Sequence, residues 1–280
     1  MLSTPLPSIR TIFFDAGFTL LHSSIPHICQ QVCLNYGLAV EMEDIRSATR
    51  QAADYYHQST QAQWVWEREE TIQAMWINYY KHLFSFFLSP FDPHMKALLA
   101  HALYHTRELP PRWQVYVDVV PVLARLRTCG YRVGVISNWG RSLFSILSHH
   151  HLTPYMECLV VSALAHCAKP SPALFEMALH RARTSAEEAL YIGDNYLHDV
   201  VGARAAGMTP ILLDRSAALT TDTMDCLVIH SFYDLLDLLQ TGRNNGTHTD
   251  LAYDESGDSH IARIAGKLPS GEGLKKGNTL

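Results

Sequence analysis

Thr11-Ile12-Phe13-Phe14-Asp15-Ala16-Gly17-Phe18-Thr19-Leu20 carries a short apolar run, then a carboxylate, then a turn. Such a run bounded by turn signals reads as a buried β-strand. An aspartate at the carboxyl end of a buried strand stands where open α/β sheets do their chemistry. Alone, Asp15 is explained equally well as a solvent-facing residue or an Asx-type turn former. It gains meaning because three more polar signals follow strand-like runs further along, each of a different chemical kind.

The second follows Tyr131-Arg132-Val133-Gly134-Val135-Ile136, where the chain reads Ser137-Asn138-Trp139-Gly140 before a helix-like stretch at 142–147. A hydroxyl and an amide at a strand-to-helix turn lie beside backbone N–H groups that favour anions; Ser142 reads as a helix cap. The third is Lys169 in Ala168-Lys169-Pro170-Ser171-Pro172, ahead of a helix-like 173–181. A lone lysine is ordinarily a solvated surface charge, but prolines at a helix entry fix where its stem starts. The fourth is Tyr191-Ile192-Gly193-Asp194, with Asp199 five residues on. Two carboxylates there can reach one hard cation, or can simply face a helix dipole.

Asp, Ser, Lys and paired Asp in this order on successive strands resemble the haloacid dehalogenase-like superfamily of hydrolases, over roughly residues 9–240. Four motifs in sequence are far more specific than any one of them. The resemblance implies a Rossmann-like parallel sheet with helices on both faces, plus a small α-helical cap. It implies Asp15 as nucleophile, forming an aspartyl-phosphate, a known use of a carboxylate in covalent catalysis. It implies Mg²⁺ held by Asp15, the backbone carbonyl of Gly17 and Asp194, with Asp199 supporting the metal site or Lys169. Ser137, Asn138 and Thr19 are then expected at the substrate, and Lys169 as the catalytic cation. The physics agrees: a carboxylate approaching a phosphate dianion needs a divalent cation and a lysine to cancel the field.

One position departs from that pattern. Phosphatases of the superfamily usually carry a second Asp two residues after the nucleophile as general acid, and here that residue is Gly17. Its loss costs about 10²–10⁴ in rate. Another group can supply the proton, with His22 and His27 as candidates among sixteen histidines. Alternatively the chemistry is that of dehalogenases, which lack the first Asp of the fourth motif, or of phosphonatases, which need a cap lysine such as Lys81 or Lys96. A third reading is a phosphate-ligand binding or interaction protein on the same fold.

Between the first strand and the next strand-like segment lies a mostly helical insert, about residues 22–107. Ile72, Met75, Trp76, Tyr79, Tyr80 and Leu83 fall near the i, i+3, i+4, i+7 spacing of an amphipathic helix. Trp64, Trp66, Trp76, Tyr55 and Tyr56 are expected mainly in the cap core and its interface with the body, and residues 67–70 as a solvated face. His101 and His105 read as surface residues of a helix rather than metal ligands. From Pro110 the pattern alternates helix and strand, with apolar runs at 158–161, 210–213 and 226–229 and a last helix at 232–240, which argues a parallel sheet. The resulting division is 1–21 with 109–240 as catalytic core, 22–108 as cap, and 241–280, rich in Gly, Asn, Ser and Asp, as a flexible tail.

With 48% hydrophobic residues in 280, the chain can build a substantial core. A net charge of −5 without a basic run argues against a nucleic-acid partner. Six scattered cysteines read as thiols of a reducing cytoplasm; no signal-like start and no membrane-length apolar run is expected to act. The expected partner is a small phosphorylated metabolite; no feature of the sequence points to an oligomeric state.

Overall fold

The computed structural model describes residues 8–88, 93–219, 222 and 224–244. They belong to a compact unit that spans Met1–Gly246. The expected tail lies outside the described residues from 245 onward; its first four residues continue the last helix.

Six strands form a parallel sheet: β1 (Thr11–Phe14), β4 (Arg132–Ser137), β5 (Cys158–Val161), β6 (Ala189–Gly193), β7 (Thr209–Leu213) and β8 (Leu227–Ile229). Their spatial order is β5-β4-β1-β6-β7-β8. The order reverses between β1 and β6, so the carboxyl ends of these two strands flank the switch point where such sheets bind ligands. Asp15 follows one of them and Asp194 the other.

Side chains alternate across β1. Ile12 and Phe14 enter one apolar cluster and Phe13 another, as the two-residue period of a strand requires. Val133 and Val135 join the first cluster and Ile136 the second. Helices cover both faces, which is why these strands are nearly continuous apolar runs rather than alternating ones. The first face packs α6 (Val119–Thr128), α7 (Ser142–His149) and α11 (Phe232–Asn244). The second packs α9 (Pro172–Ala182), through Leu174, Phe175 and Ala178. A short helix, α8 (Ser162–Ala165), follows β5, and another, α10 (Gly202–Ala205), precedes β7.

Two strands of two residues each were not legible in the sequence. β2 (Leu21–His22) pairs antiparallel with β3 (Gln114–Val115), so the chain leaves the body and returns to it through one small ribbon. Between them run α1 (Ile25–Asn35), α2 (Met42–Gln51), α3 (Ala53–Thr60), α4 (Glu69–Ser85) and α5 (Pro93–Arg107). These five helices share their own apolar cluster. All six apolar residues that predicted an amphipathic helix are buried on α4. The expected solvated face at 67–70 is only partly so: Arg68 and Glu70 are exposed, whereas the Glu69 carboxylate accepts from the backbone N–H of Arg141 at 3.0 Å and ties the insert to the body. Among the described residues no helix is long and apolar enough to cross a membrane.

Candidate active site

At the carboxyl ends of β1 and β6, Lys169 lies nearly buried between two carboxylates. Its Nζ donates to Asp15 Oδ1 at 2.7 Å, to Asp199 Oδ1 at 2.6 Å and to the Tyr191 hydroxyl at 2.9 Å. An ammonium has three donors, and all three are used. Asn138 fixes the lysine's backbone from both sides: the Lys169 N–H donates to Asn138 Oδ1 at 2.8 Å, and Asn138 Nδ2 donates to the Lys169 carbonyl at 3.0 Å. The Asn138 amide is thus engaged in holding Lys169, although the residue also lines the cavity.

Asp199 stands on a π-helical turn, Tyr196–Val201, and its second oxygen accepts from the Asn195 N–H at 2.9 Å. Gly193 makes room for it: a Cβ there would come within 2.3 Å of the Asp199 carboxylate. Asp194 is open to solvent, and carboxylate oxygens of Asp15, Asp194 and Asp199 all lie within 4.8 Å of one another. Ser137, at the end of β4, is buried and lines the same cavity. Thr19 is fully buried and does not line it; its hydroxyl reaches Asp194 Oδ1 at 3.4 Å. Thr19, expected at the substrate, thus lies behind Asp194 in this structure.

The charges do not balance: three carboxylates share one ammonium. Burial pushes Asp15 above the usual carboxylate range despite the opposing charge of Lys169, and Asp199 adds to the rise. Asp194, although its residue reaches solvent, is raised well above it: the protein packed around the carboxylate displaces part of its water first, and Asp15 and Asp199 then repel its charge. For Lys169, burial disfavours the charged form, but Asp15 and Asp199 outweigh it and its pKa is raised. The Tyr191 phenol is likewise raised by burial and by Asp199, so it stays protonated. An excess of oxygen-donor negative charge at one point is the donor set a hard divalent cation requires, and these residues fit one.

Gly17 lines the cavity, and a Cβ added to it would meet the Trp139 ring at 3.1 Å. Trp139 is held there: its Nε1 donates to Ser142 Oγ at 3.0 Å, and its ring lies 4.5 Å from that of Trp113. Ser142, expected to cap α7, instead carries this contact and donates to Glu108. Neither histidine proposed as a proton source lines the cavity. His22 packs against Tyr116 with tilted rings 4.6 Å apart, and His27 bonds the Ser24 hydroxyl at 2.5 Å. Lys81 and Lys96 do not line it either. His101 and His105 are exposed on α5, in keeping with a surface reading. Of the insert's aromatic residues, Tyr56, Trp66 and Trp76 line the cavity, while Trp64 is 62% exposed.

The strand order and the residues at the strand ends agree with a comparison at the level of families. A family description, haloacid dehalogenase-like hydrolase, matches residues 12–213. The chain belongs to the haloacid dehalogenase-like hydrolases. A haloacid dehalogenase-like hydrolase domain-containing protein 3 of Danio rerio is 36% identical to this chain over 124 residues, 44% of this chain and 51% of the relative. A glyceraldehyde 3-phosphate phosphatase of Methanopyrus kandleri is 30% identical over 131 residues, 44% and 54% of the two chains. The chain thus spans about half the length of these curated relatives. Among solved structures, a HAD-hydrolase of Bacillus subtilis bound to magnesium has a TM-score of 0.64 at 15% identity, covering 83% of this chain and 99% of its own. That likeness is one of fold.

Proposed function

We propose that this hydrolase is a Mg²⁺-dependent phosphatase of a small phosphorylated metabolite, acting through Asp15. The observation that carries the reading is the Lys169 ammonium bridging Asp15 and Asp199, with Asp194 beside them and no other ion pair to these three carboxylates among the described residues. Asp15, the Gly17 carbonyl and Asp194 would hold Mg²⁺, with Asp199 supporting them. Bound there, Mg²⁺ supplies charge neutralisation for nucleophile and phosphoryl group.

Asp15 attacks phosphorus, the ester oxygen departs with its electron pair, and an aspartyl-phosphate remains. Water then hydrolyses that acyl phosphate, returning Asp15 and releasing phosphate. Lys169 holds Asp15 oriented and offsets the incoming charge. Ser137 would donate to a phosphoryl oxygen, a role its position on the cavity wall supports. With glycine at 17 the leaving oxygen receives no proton from that position, a loss of about 10²–10⁴, or roughly 3–5 kcal/mol. Esters whose oxygen leaves as a stabilised anion, such as acyl, enol or aryl phosphates, suffer least. The five-helix insert is the cap of this enzyme, and it supplies the apolar wall of the cavity through Trp66, Ile72 and Trp76.

The cavity holds about 110 Å³, a size for a small metabolite. Six free thiols suit a reducing cytoplasm. The phosphonatase alternative loses support because no insert lysine lines the cavity, and the dehalogenase alternative because Asp194 does. Mg²⁺-dependent phosphate release from a metabolite panel and an aryl phosphate tests the reading, with Asp15→Asn alongside. Release that needs both the metal and Asp15 is expected. Silent wild type, or a binding affinity for phosphorylated ligands that survives in Asp15→Asn without any turnover in wild type, would give the fold a binding role instead.

A further inference from the structure

A second buried cation lines the cavity, and the chemistry above makes no use of it. Arg107 ends α5 and is 5% exposed. Its guanidinium carbon lies 3.9 Å from the ring centroid of Trp76, 5.0 Å from that of Trp113 and 5.5 Å from that of Trp139. Trp76 comes from the insert and the other two from the body, so the guanidinium sits in an aromatic box built by both. Nη1 donates to Glu108 Oε1 at 2.6 Å. The other Glu108 oxygen is taken by the Ser142 hydroxyl. Glu108 is therefore satisfied while Arg107 is not: its buried Nε has no partner among the described residues, and Glu108 is the only acceptor its guanidinium meets there.

Arg215, which does not line the cavity, shares with Arg107 a buried Nε without a partner among the described residues, and differs from it at the terminal nitrogens. Arg215 is bonded through both terminal nitrogens, to the two oxygens of Asp118 at 3.0 and 3.1 Å and to the Thr19 carbonyl at 2.9 Å. Arg107 spends one terminal nitrogen and keeps the rest of its fork for something else. Leaving buried donors unmade is costly, and a planar guanidinium on an indole face is suited to a planar two-oxygen acceptor.

We propose that Arg107 is the specificity-determining residue at the leaving-group end of the cavity, and that the phosphoester it selects carries a carboxylate. The inference rests on the phosphatase reading of Asp15. A carboxylate fits better than a second phosphate. Glu108 already shares the arginine's charge and the cavity already holds three aspartates, so a monoanion needs less compensation than a dianion. The indole and aliphatic walls, with Ile72 and Trp66 completing them, suit a short carbon skeleton between the two anionic ends.

The test uses the full chain, wild type with Arg107→Lys and Arg107→Gln, in Mg²⁺. Phosphate release is compared for 3-phosphoglycerate and glycerol 3-phosphate, which differ in a carboxylate against a hydroxymethyl group. Wild type is expected to favour the carboxylate at least about tenfold in kcat/KM, through KM; both variants bring the ratio to within about threefold of one. In parallel, tryptophan fluorescence follows binding of 3-phosphonopropionate and propylphosphonate, which needs no turnover. A wild type that binds both phosphonates alike overturns the proposal, even if the variants fail to fold. So does a ratio unchanged in well-folded variants. Preference for the carboxylated phosphonate, lost in Arg107→Lys while no ester is hydrolysed, upholds the Arg107 subsite and sinks only the phosphatase reading.

Discussion

Two buried cations line one cavity and are held in opposite ways. Lys169 has every donor spent on Asp15, Asp199 and Tyr191, and its backbone is clasped by Asn138. Arg107 has an aromatic box around it and one acceptor, Glu108. The first is fixed by the strand ends of the body, where position must not vary. The second is carried by the insert, where an unspent donor leaves room to read a ligand. On the proposed reading, the saturated cation serves the reaction common to all substrates and the unsaturated one the choice among them.

That division breaks most visibly at Lys169. Lys169→Met is expected to reduce phosphate release by about 10²–10³ or more on every substrate alike. The motif alone suggests that a catalytic lysine can be removed with little loss of stability, and its burial between two carboxylates overturns that. Stranding those charges is expected to cost about 3–5 kcal/mol, read in thermal unfolding at neutral pH. Because the folded-state pKa of Lys169 is raised, its contribution is fully present below the ordinary lysine value and is lost only as pH climbs through the folded value. The stability gap to the variant therefore persists through neutrality and closes on the alkaline side. A Lys169→Met protein that kept its rate and lost only substrate discrimination would exchange the roles of the two cations.

Gly17→Asp sharpens the comparison from the other side, since it restores the usual acid on the wall of the same cavity. The contact with Trp139, held by Ser142 and Trp113, makes overpacking the dominant effect. Unfolding experiments are expected to show a loss of about 1–3 kcal/mol, with no gain in turnover. A stable, faster Gly17→Asp enzyme would show that the Trp139 side yields.

The smallest effect is expected at Asp194. Its pKa is raised on folding, so between the ordinary value of 3.8 and the folded value the native state holds a proton that the unfolded chain has lost, and stability falls as pH rises. Asp194→Asn is expected to stabilise the metal-free protein at neutral pH, by about 1 kcal/mol or less because solvent in the cavity screens an exposed group. That corresponds to a Tm rise of about 2–4 °C at most, seen by calorimetry in chelator and vanishing toward pH 4. A lower Tm in the variant would mean that surplus negative charge is not what the Lys169 side of the cavity stores.

The residues at the Lys169 end were readable because each closes an apolar strand or opens a helix, and strand ends in a parallel sheet converge. Asp15, Ser137, Lys169, Asp194 and Asp199 could be found that way. Thr19 and Asn138 were readable as neighbours of the site but not as the partners of Asp194 and Lys169, because side-chain pairing is not written in local order. Tyr191 looked like one more apolar strand residue; its hydroxyl matters only once β6 lies beside the lysine. The Arg107 end was illegible for a stronger reason. Arg107 resembles any basic residue in the last turn of a helix, and Trp76, Trp113 and Trp139 meet around it only after the insert packs on the body. Trp139 was the available signal, since it directly follows Ser137 and Asn138.

The two-residue ribbon of β2 and β3 has a consequence for how such a protein can change over generations. Because the chain departs at Leu21–His22 and re-enters at Gln114–Val115 on adjacent strands, the covalent connection between insert and body runs through two neighbouring points, whatever lies between them. Doubling the length of a flexible segment between fixed ends costs only about 0.6 kcal/mol in closure entropy. If the insert selects the substrate as proposed, it can therefore be lengthened, shortened or exchanged while the residues at the strand ends stay where they are, and new specificities can be sampled without rebuilding the body.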